Sequence, residues 1–267
     1  MKETAASASH STWITHCANA WAWFGYAFLV LPTLVIIPMS FNSTDELAFP
    51  PDSFSLRQYE AFFLKGDWLS STFLSFKIAI ATAVLAVVIG ITAAYGLARS
   101  SFPGRGAIVL FLLSPMLVPV VVVALGLYLY FATLGFSGSA LPIIVGHTLV
   151  AIPFVIITAS SALRHMERNI ESAAMIMGAS PFQVFRKVTL PLLRSGIIAS
   201  ALFAFLISFD EVIIAYFVGR AGFSTLPVKM FSTIQWEISP VIAAVATLLT
   251  ILSTGICILV TIIMDRK

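Results

Sequence analysis

Six apolar stretches, each long enough to cross a bilayer as a helix, divide this chain of 267 residues. They cover about 22–41, 69–97, 106–134, 141–163, 193–219 and 238–264. Lipid offers no partner for open backbone groups, so such stretches fold as helices. The runs are continuous rather than alternating, which argues against a barrel. With 59% hydrophobic and 10% charged residues, no large soluble domain fits beside them. The expected fold is therefore all-α: a polytopic membrane protein with six transmembrane helices. Residues 1–21 form an amino-terminal tail, 22–264 the spanning domain and 265–267 the carboxyl terminus.

Charge sets the expected orientation. Arg99 and Arg105 flank the second-to-third turn, and Arg164, Arg168, Arg186, Lys187 and Arg194 surround the fourth-to-fifth connection. Arg266 and Lys267 end the chain. Basic residues of short loops stay in the cytoplasm, so both termini and residues 164–191 are expected inside. The first long loop carries Asp45, Glu46, Asp52, Glu60 and Asp67 and is expected outside. Ala18-Asn19-Ala20 resembles a signal-peptidase site, but the residues before it are too polar for the required apolar region, so the start reads as an uncleaved cytoplasmic tail. The net charge of +3 comes without a basic cluster, and nucleic acid is not an expected partner. Cys17 and Cys257 read as free thiols packed like small apolar residues. No metal spacing is present, and His147 and His165 stand alone.

Pro115, Pro119 and Pro153 fall inside spans, where each removes a backbone donor. Either ordinary kinked packing or bending that opens a path accounts for them. Gly90, Ala94 and Gly96 have the spacing for close helix approach. Trp68, Trp236 and Tyr59 read as interface anchors.

The connection Asn169–Pro191 reads NIESAAMIMGASPFQVFRKVTLP, an ordered island between apolar runs. Asn169 suits an N-cap, with Glu171 in the first turn where the dipole favours an acid. Gly178 suits the end of this helix. Ser180, Pro181 and Gln183 spell a second start with a capping box. Phe182, Phe185 and Val188 share one side of that second helix, and Leu190-Pro191 is expected to stop it. From the residues alone, two readings stand level: an amphipathic pair resting on lipid, or a knob for a soluble partner.

The same segment resembles the EAA loop of bacterial binding-protein-dependent ABC importer permeases. Ala173-Ala174 match the motif's alanines, Gly178 its glycine, Val188 its isoleucine and Leu190-Pro191 its end. The motif's glutamate falls on Ser172, with Glu171 one place earlier; by the capping assignment Ser172 is N3, where serine reaches back poorly. The resemblance spans the chain and implies the type I importer permease fold. It implies a coupling helix that docks on a cytoplasmic ATPase through Glu171, Ser172, Ala173, Ala174, Met175, Gly178, Ala179, Ser180 and Pro181. It also implies an ATPase dimer, a second permease of a different chain and a soluble binding protein, in the bacterial inner membrane. The chain has no GxxxxGK[ST] loop, so ATP and magnesium belong to the ATPase and this chain binds no cofactor and does no bond chemistry.

Ser208-Phe209-Asp210-Glu211 interrupts the fifth apolar run, with Asp210 roughly 27 Å along the helix from Leu192. Charge at that depth is costly and marks a site. Three uses remain open: a salt bridge, a gate at the outer mouth, or contact with a cationic solute. This segment, with Thr225-Leu226-Pro227 and Glu237-Ile238-Ser239-Pro240, resembles the second permease of spermidine/putrescine importers. Ser208, Phe209, Asp210, Glu211 and Glu237 are the candidate pathway residues. The expected cargo is a small cation such as spermidine or putrescine. The alternatives are an opine, a 4-aminobutyrate-like amino acid or a phosphonate, or else ion-coupled secondary transport.

Overall fold

The computed structural model describes residues 3–64, 66–136, 138–219, 223–236 and 239–265. Helices run over α1 Glu3–Met39, α2 Arg57–Leu64, α3 Trp68–Arg99, α4 Arg105–Leu113, α5 Val120–Thr133, α6 Ala140–His165 and α7 Arg168–Ile176. They continue with α8 Pro181–Val184, α9 Leu190–Leu192, α10 Arg194–Asp210, α11 Ile213–Val218, α12 Leu226–Trp236 and α13 Val241–Asp265. Among the described residues the sole β pairing is an isolated bridge, Asn42 to Phe54. Among the described residues three helices are long and apolar enough to cross a membrane, or up to five if each bent pair counts as one span.

The chain forms two compact units. The first joins residues 1–66 to 233–267. In it α1 is already helical at Glu3, well before residue 22. Helix α13 packs on α1 and α2. The acidic loop is an ordered cap. Ser40 and Asn42 are fully buried; the Ser40 hydroxyl meets that of Tyr59 at 2.7 Å, and Gln58 Nε2 donates to the carbonyls of Asn42 and Thr44.

The second unit, residues 67–232, holds the main helix packing. Its core is α3 against α6 and α10, built on Ala86, Ile91, Ala94, Ala151, Val155, Ala159 and Ala204. Gly90 permits a close α3–α6 approach: a Cβ there would lie 2.6 Å from Val155 Cγ1. Gly196 does the same for α10, where a Cβ would lie 2.6 Å from Ala162 Cβ. Ala94 is buried in this seam, whereas Gly96 is exposed and a Cβ there would meet nothing within 4 Å, so it takes no part in close approach.

The expected third span is two helices bent by 92° between Met116 and Val120. Pro115 and Pro119 lack donors, and Pro119 takes an extended ψ of 128° before α5 restarts. Pro153, by contrast, lies within the unbroken α6. Trp68 is buried rather than an exposed anchor, and Lys229 lies over its ring at 5.1 Å from the centroid. Burial pushes the Lys229 ammonium below its ordinary range, and Asp67 partly opposes this.

Candidate functional site

Helix α6 ends where Met166 and Glu167 turn extended, with ψ of 130° and 121°. Helix α7 then starts at Arg168, so Glu167 is the N-cap and the expected Asn169 cap is the second helical residue. The earlier start turns the register. Glu171 becomes the fourth helical residue and is only 5% exposed, while Ser172, the fifth, faces out. Ser172 is therefore not N3, and the reach-back expected of the motif position does not arise in this register.

Three segments meet at Glu171. Arg99, in the last turn of α3, places Nε 2.6 Å from Glu171 Oε2, a charge contact whose N–H is not aligned as a hydrogen bond. Thr189 donates its hydroxyl to Glu171 Oε1 at 2.7 Å. Beside them Arg168 Nη2 donates to the Ala98 carbonyl at 2.6 Å, one of the last-turn acceptors of α3 that its helix leaves open. Both arginine contacts set positive charge at the carboxyl end of α3, where the dipole favours it. Removing one member of a buried ion pair typically costs about 3–5 kcal/mol, so this clamp fixes α7 to α3 firmly.

The other end of α7 closes as its sequence dictates. Gly178 adopts φ of +90°, its N–H bonds Met175 O at 2.9 Å, and the Ala179 N–H bonds Ala174 O at 3.1 Å. This is the glycine-dependent helix stop. The capping box follows at once: Gln183 N donates to Ser180 Oγ at 3.3 Å, and Ser180 N donates to Gln183 Oε1 at 2.9 Å. Ala173, Met175, Pro181 and Ser180 face out, Ala174 is buried and Ala179 is half-buried. Between the helices Ile176 is 87% exposed, Met177 83% and Phe182 69%, an apolar tip on a pinned loop.

The buried side of the second helix differs from expectation. Val184 and Thr189 are buried and the Phe185 ring packs tilted against Tyr95, centroids 4.7 Å apart, while Phe182 is exposed. Nor does Leu190-Pro191 end the helix. Pro191 has no N–H, and the turn before it, Phe185–Thr189, widens so that the Leu190 N–H bonds Phe185 O. The helix runs to Leu192 and bends by 76° into α10.

The acidic pair splits. Glu211 follows α10 at a break in the fifth apolar run and caps α11, accepting from the N–H groups of Ile213 at 3.1 Å and Ile214 at 2.7 Å. Its Oε2 also lies 3.5 Å from His147 Nε2 in α6, and His147 Nδ1 meets Ser208 Oγ at 2.8 Å. Ser208 and His147 are buried. Asp210 is exposed at the end of α10. Phe209 packs inward on Phe76 at 5.0 Å and Phe205 at 5.7 Å. Glu237 lies outside the described residues. Lys77, which follows Phe76 inside α3, is exposed too, so Lys77 and Asp210 stand at one level beside the Phe76–Phe209 contact.

Apolar helices broken at prolines and at an acid, around a pinned connecting loop, are the architecture of a multi-pass membrane protein. The fold matches a chain of a bacterial ABC transporter involved in import of the acidic polysaccharide alginate, with TM-score 0.74, 16% identity and coverage of 94% of this chain and 96% of that one. The chain belongs to the family of binding-protein-dependent transport system inner membrane components, whose pattern matches residues 86–266. It is thus an inner-membrane transport component, not an enzyme. Among its relatives is the putrescine transport system permease protein PotI of Escherichia coli K12, 34% identical over 84% of this chain and 82% of that one. Another is the spermidine/putrescine permease PotC of Haemophilus influenzae, 30% identical over 90% of this chain and 93% of that one.

Proposed function

We propose that this chain is one of two membrane subunits of a polyamine importer, passing putrescine or spermidine inward on power supplied by a separate ATPase. The names and coverage of its relatives support the cargo. In this reading the chain spans the membrane six times with both termini inside. A soluble binding protein delivers the solute, a different permease chain completes the pathway, and ATP and magnesium bind only in an ATPase dimer.

One observation carries the mechanism. The apolar tip Ile176, Met177 and Phe182 is exposed, while the same loop is tied inside by Arg99, Glu171 and Thr189. An exposed apolar patch on a rigid support suits a protein partner better than water. Closure of the ATPases moves the tip. The clamp passes that motion to α3, and the continuous run from Pro181 through the bend at Leu193 passes it to α10, a rigid-body switch of the spans. Asp210, exposed at the end of α10, meets the ammonium group by attraction of opposite charge.

Vesicles holding the full complex test this. Labelled putrescine enters only with binding protein and internal ATP, and the I176S/M177S variant stops uptake while the permease pair still assembles. Uptake without ATP would favour an ion-coupled carrier instead.

Lys77 favours a second reading of the cargo. A cation exposed inside the membrane helix at the level of Asp210 offers a partner for an anionic group there. A zwitterion such as a 4-aminobutyrate-like amino acid would set its amine on Asp210 and its carboxylate on Lys77. Stronger competition by 4-aminobutyrate than by putrescine, lost in K77Q, identifies this reading.

A further inference from the structure

A cavity of about 550 Å³ opens among the ends of α3, α4, α6 and α7. Four arginines line it: Arg99, Arg105, Arg164 and Arg168. Among the described residues a single carboxylate, Glu171, pairs with any of them. The Nη2 of Arg99 is buried without a hydrogen-bond partner. Arg99 and Arg164 stand in last turns, where a helix dipole welcomes cations. Arg105 and Arg168 do not. Each is the first residue of its helix, where the dipole opposes a positive charge. Arg168 has the Ala98 carbonyl as compensation. Arg105 has no ion pair among the described residues, so the chain concentrates positive charge here beyond what its own helix ends require.

Apart from Ser160 the rest of the wall is apolar, including Val109, Leu113, Ile156 and Ile157. These residues continue along the apolar helices α4 and α6, away from the arginine rim. A charged rim over an apolar wall matches a molecule with an anionic head and hydrocarbon tails. A soluble anion would gain nothing from that wall.

We propose that this cavity binds the phosphodiester headgroup of an anionic phospholipid, with its acyl chains along α4 and α6. Basic pockets between membrane helices hold such headgroups by this chemistry. The lipid phosphate sits among the lining guanidinium groups, including that of Arg168 at the start of α7. The bound lipid therefore braces the clamp on α7 and makes the stiffness of that loop sensitive to lipid charge. This site is independent of which solute the transporter carries.

The test uses the full transporter complex, purified in nanodiscs of phosphatidylcholine with or without phosphatidylglycerol. Native mass spectrometry counts retained lipid. Phosphatidylglycerol is retained, and its affinity falls about thirtyfold in R105Q/R164Q, taking about 1 kcal/mol per arginine. In phosphatidylcholine alone, wild type and variant melt at the same temperature, which shows the variant folded; phosphatidylglycerol raises only the wild-type Tm. The single R105Q, at an exposed position, gives the smaller version of the same shift should the double variant not assemble. Millimolar inorganic phosphate leaves the lipid in place. Equal retention by the variants, equal retention of phosphatidylcholine, or displacement by inorganic phosphate each overturns the proposal, as does retention lost because the ATPase or second permease fills the cavity.

Discussion

The Arg99 guanidinium stands 2.6 Å from the Glu171 carboxylate, joining the last turn of α3 to a helix 72 positions further along the chain. Both side chains are largely buried, so the pair holds only if both members are present. Replacing either alone, as E171M or R99M, lowers the stability of the assembled permease by about 3 kcal/mol, the low end for a buried pair because Arg99 keeps 16% exposure. The double variant E171M/R99M loses less than either single one. Thermal unfolding of the four proteins completes the cycle, and additive losses would show that the two groups do not interact.

Ser180 fixes the angle between α7 and the helix that follows. S180A removes one half of the observed capping box and costs about 1 kcal/mol locally. Amide exchange over 181–184 then rises about fivefold, while α3 and α6 keep their protection. Unchanged exchange would mean the box contributes nothing to loop order.

The seam of α3 on α6 depends on the missing side chain at Gly90. G90A places a methyl within 2.6 Å of Val155 Cγ1 and destabilises the unit by about 1–3 kcal/mol. Adding V155A relieves most of that loss. A variant G90A/V155A less stable than G90A would contradict this packing.

Asp210 and Glu211 are adjacent but answer differently to neutralisation. E211Q keeps an acceptor but loses the charge at the α11 amino end, costing about 1 kcal/mol, and E211A costs more. D210N leaves Tm unchanged because Asp210 is exposed, and its effect falls on uptake. Melting curves and transport assays on the same preparations separate the two; a stability loss in D210N equal to that of E211Q would refute the assignment.

The sequence carried the local signals and missed the distant pairings. Gly178 and the Ser180–Gln183 box are legible because caps act over three or four residues, and both appear as written. Apolar length likewise gave the helices α3 and α6 nearly to their ends. The start of α7 is not legible in the sequence because Glu167 caps it through extended backbone alone, with no side-chain signal. That hides the inward direction of Glu171. Its partners Arg99 and Thr189 lie 72 and 18 positions away, and single-sequence spacing says nothing about such meetings. His147 read as a lone histidine for the same reason, since Ser208 lies 61 residues on. The break at Glu211 has a readable trace, an acid just before an apolar helical start, yet none of the three uses left open for the acidic pair is a helix cap.

The central claim is that the exposed tip of a pinned loop seats on the ATPase. A photo-crosslinking benzophenone side chain at position 176, in the complete complex in native membranes, reports its neighbour directly. The account predicts an ATP-sensitive adduct with the ATPase subunit, weakened when E171Q loosens the clamp. Adducts with lipid alone, unchanged by ATP or by E171Q, would contradict it.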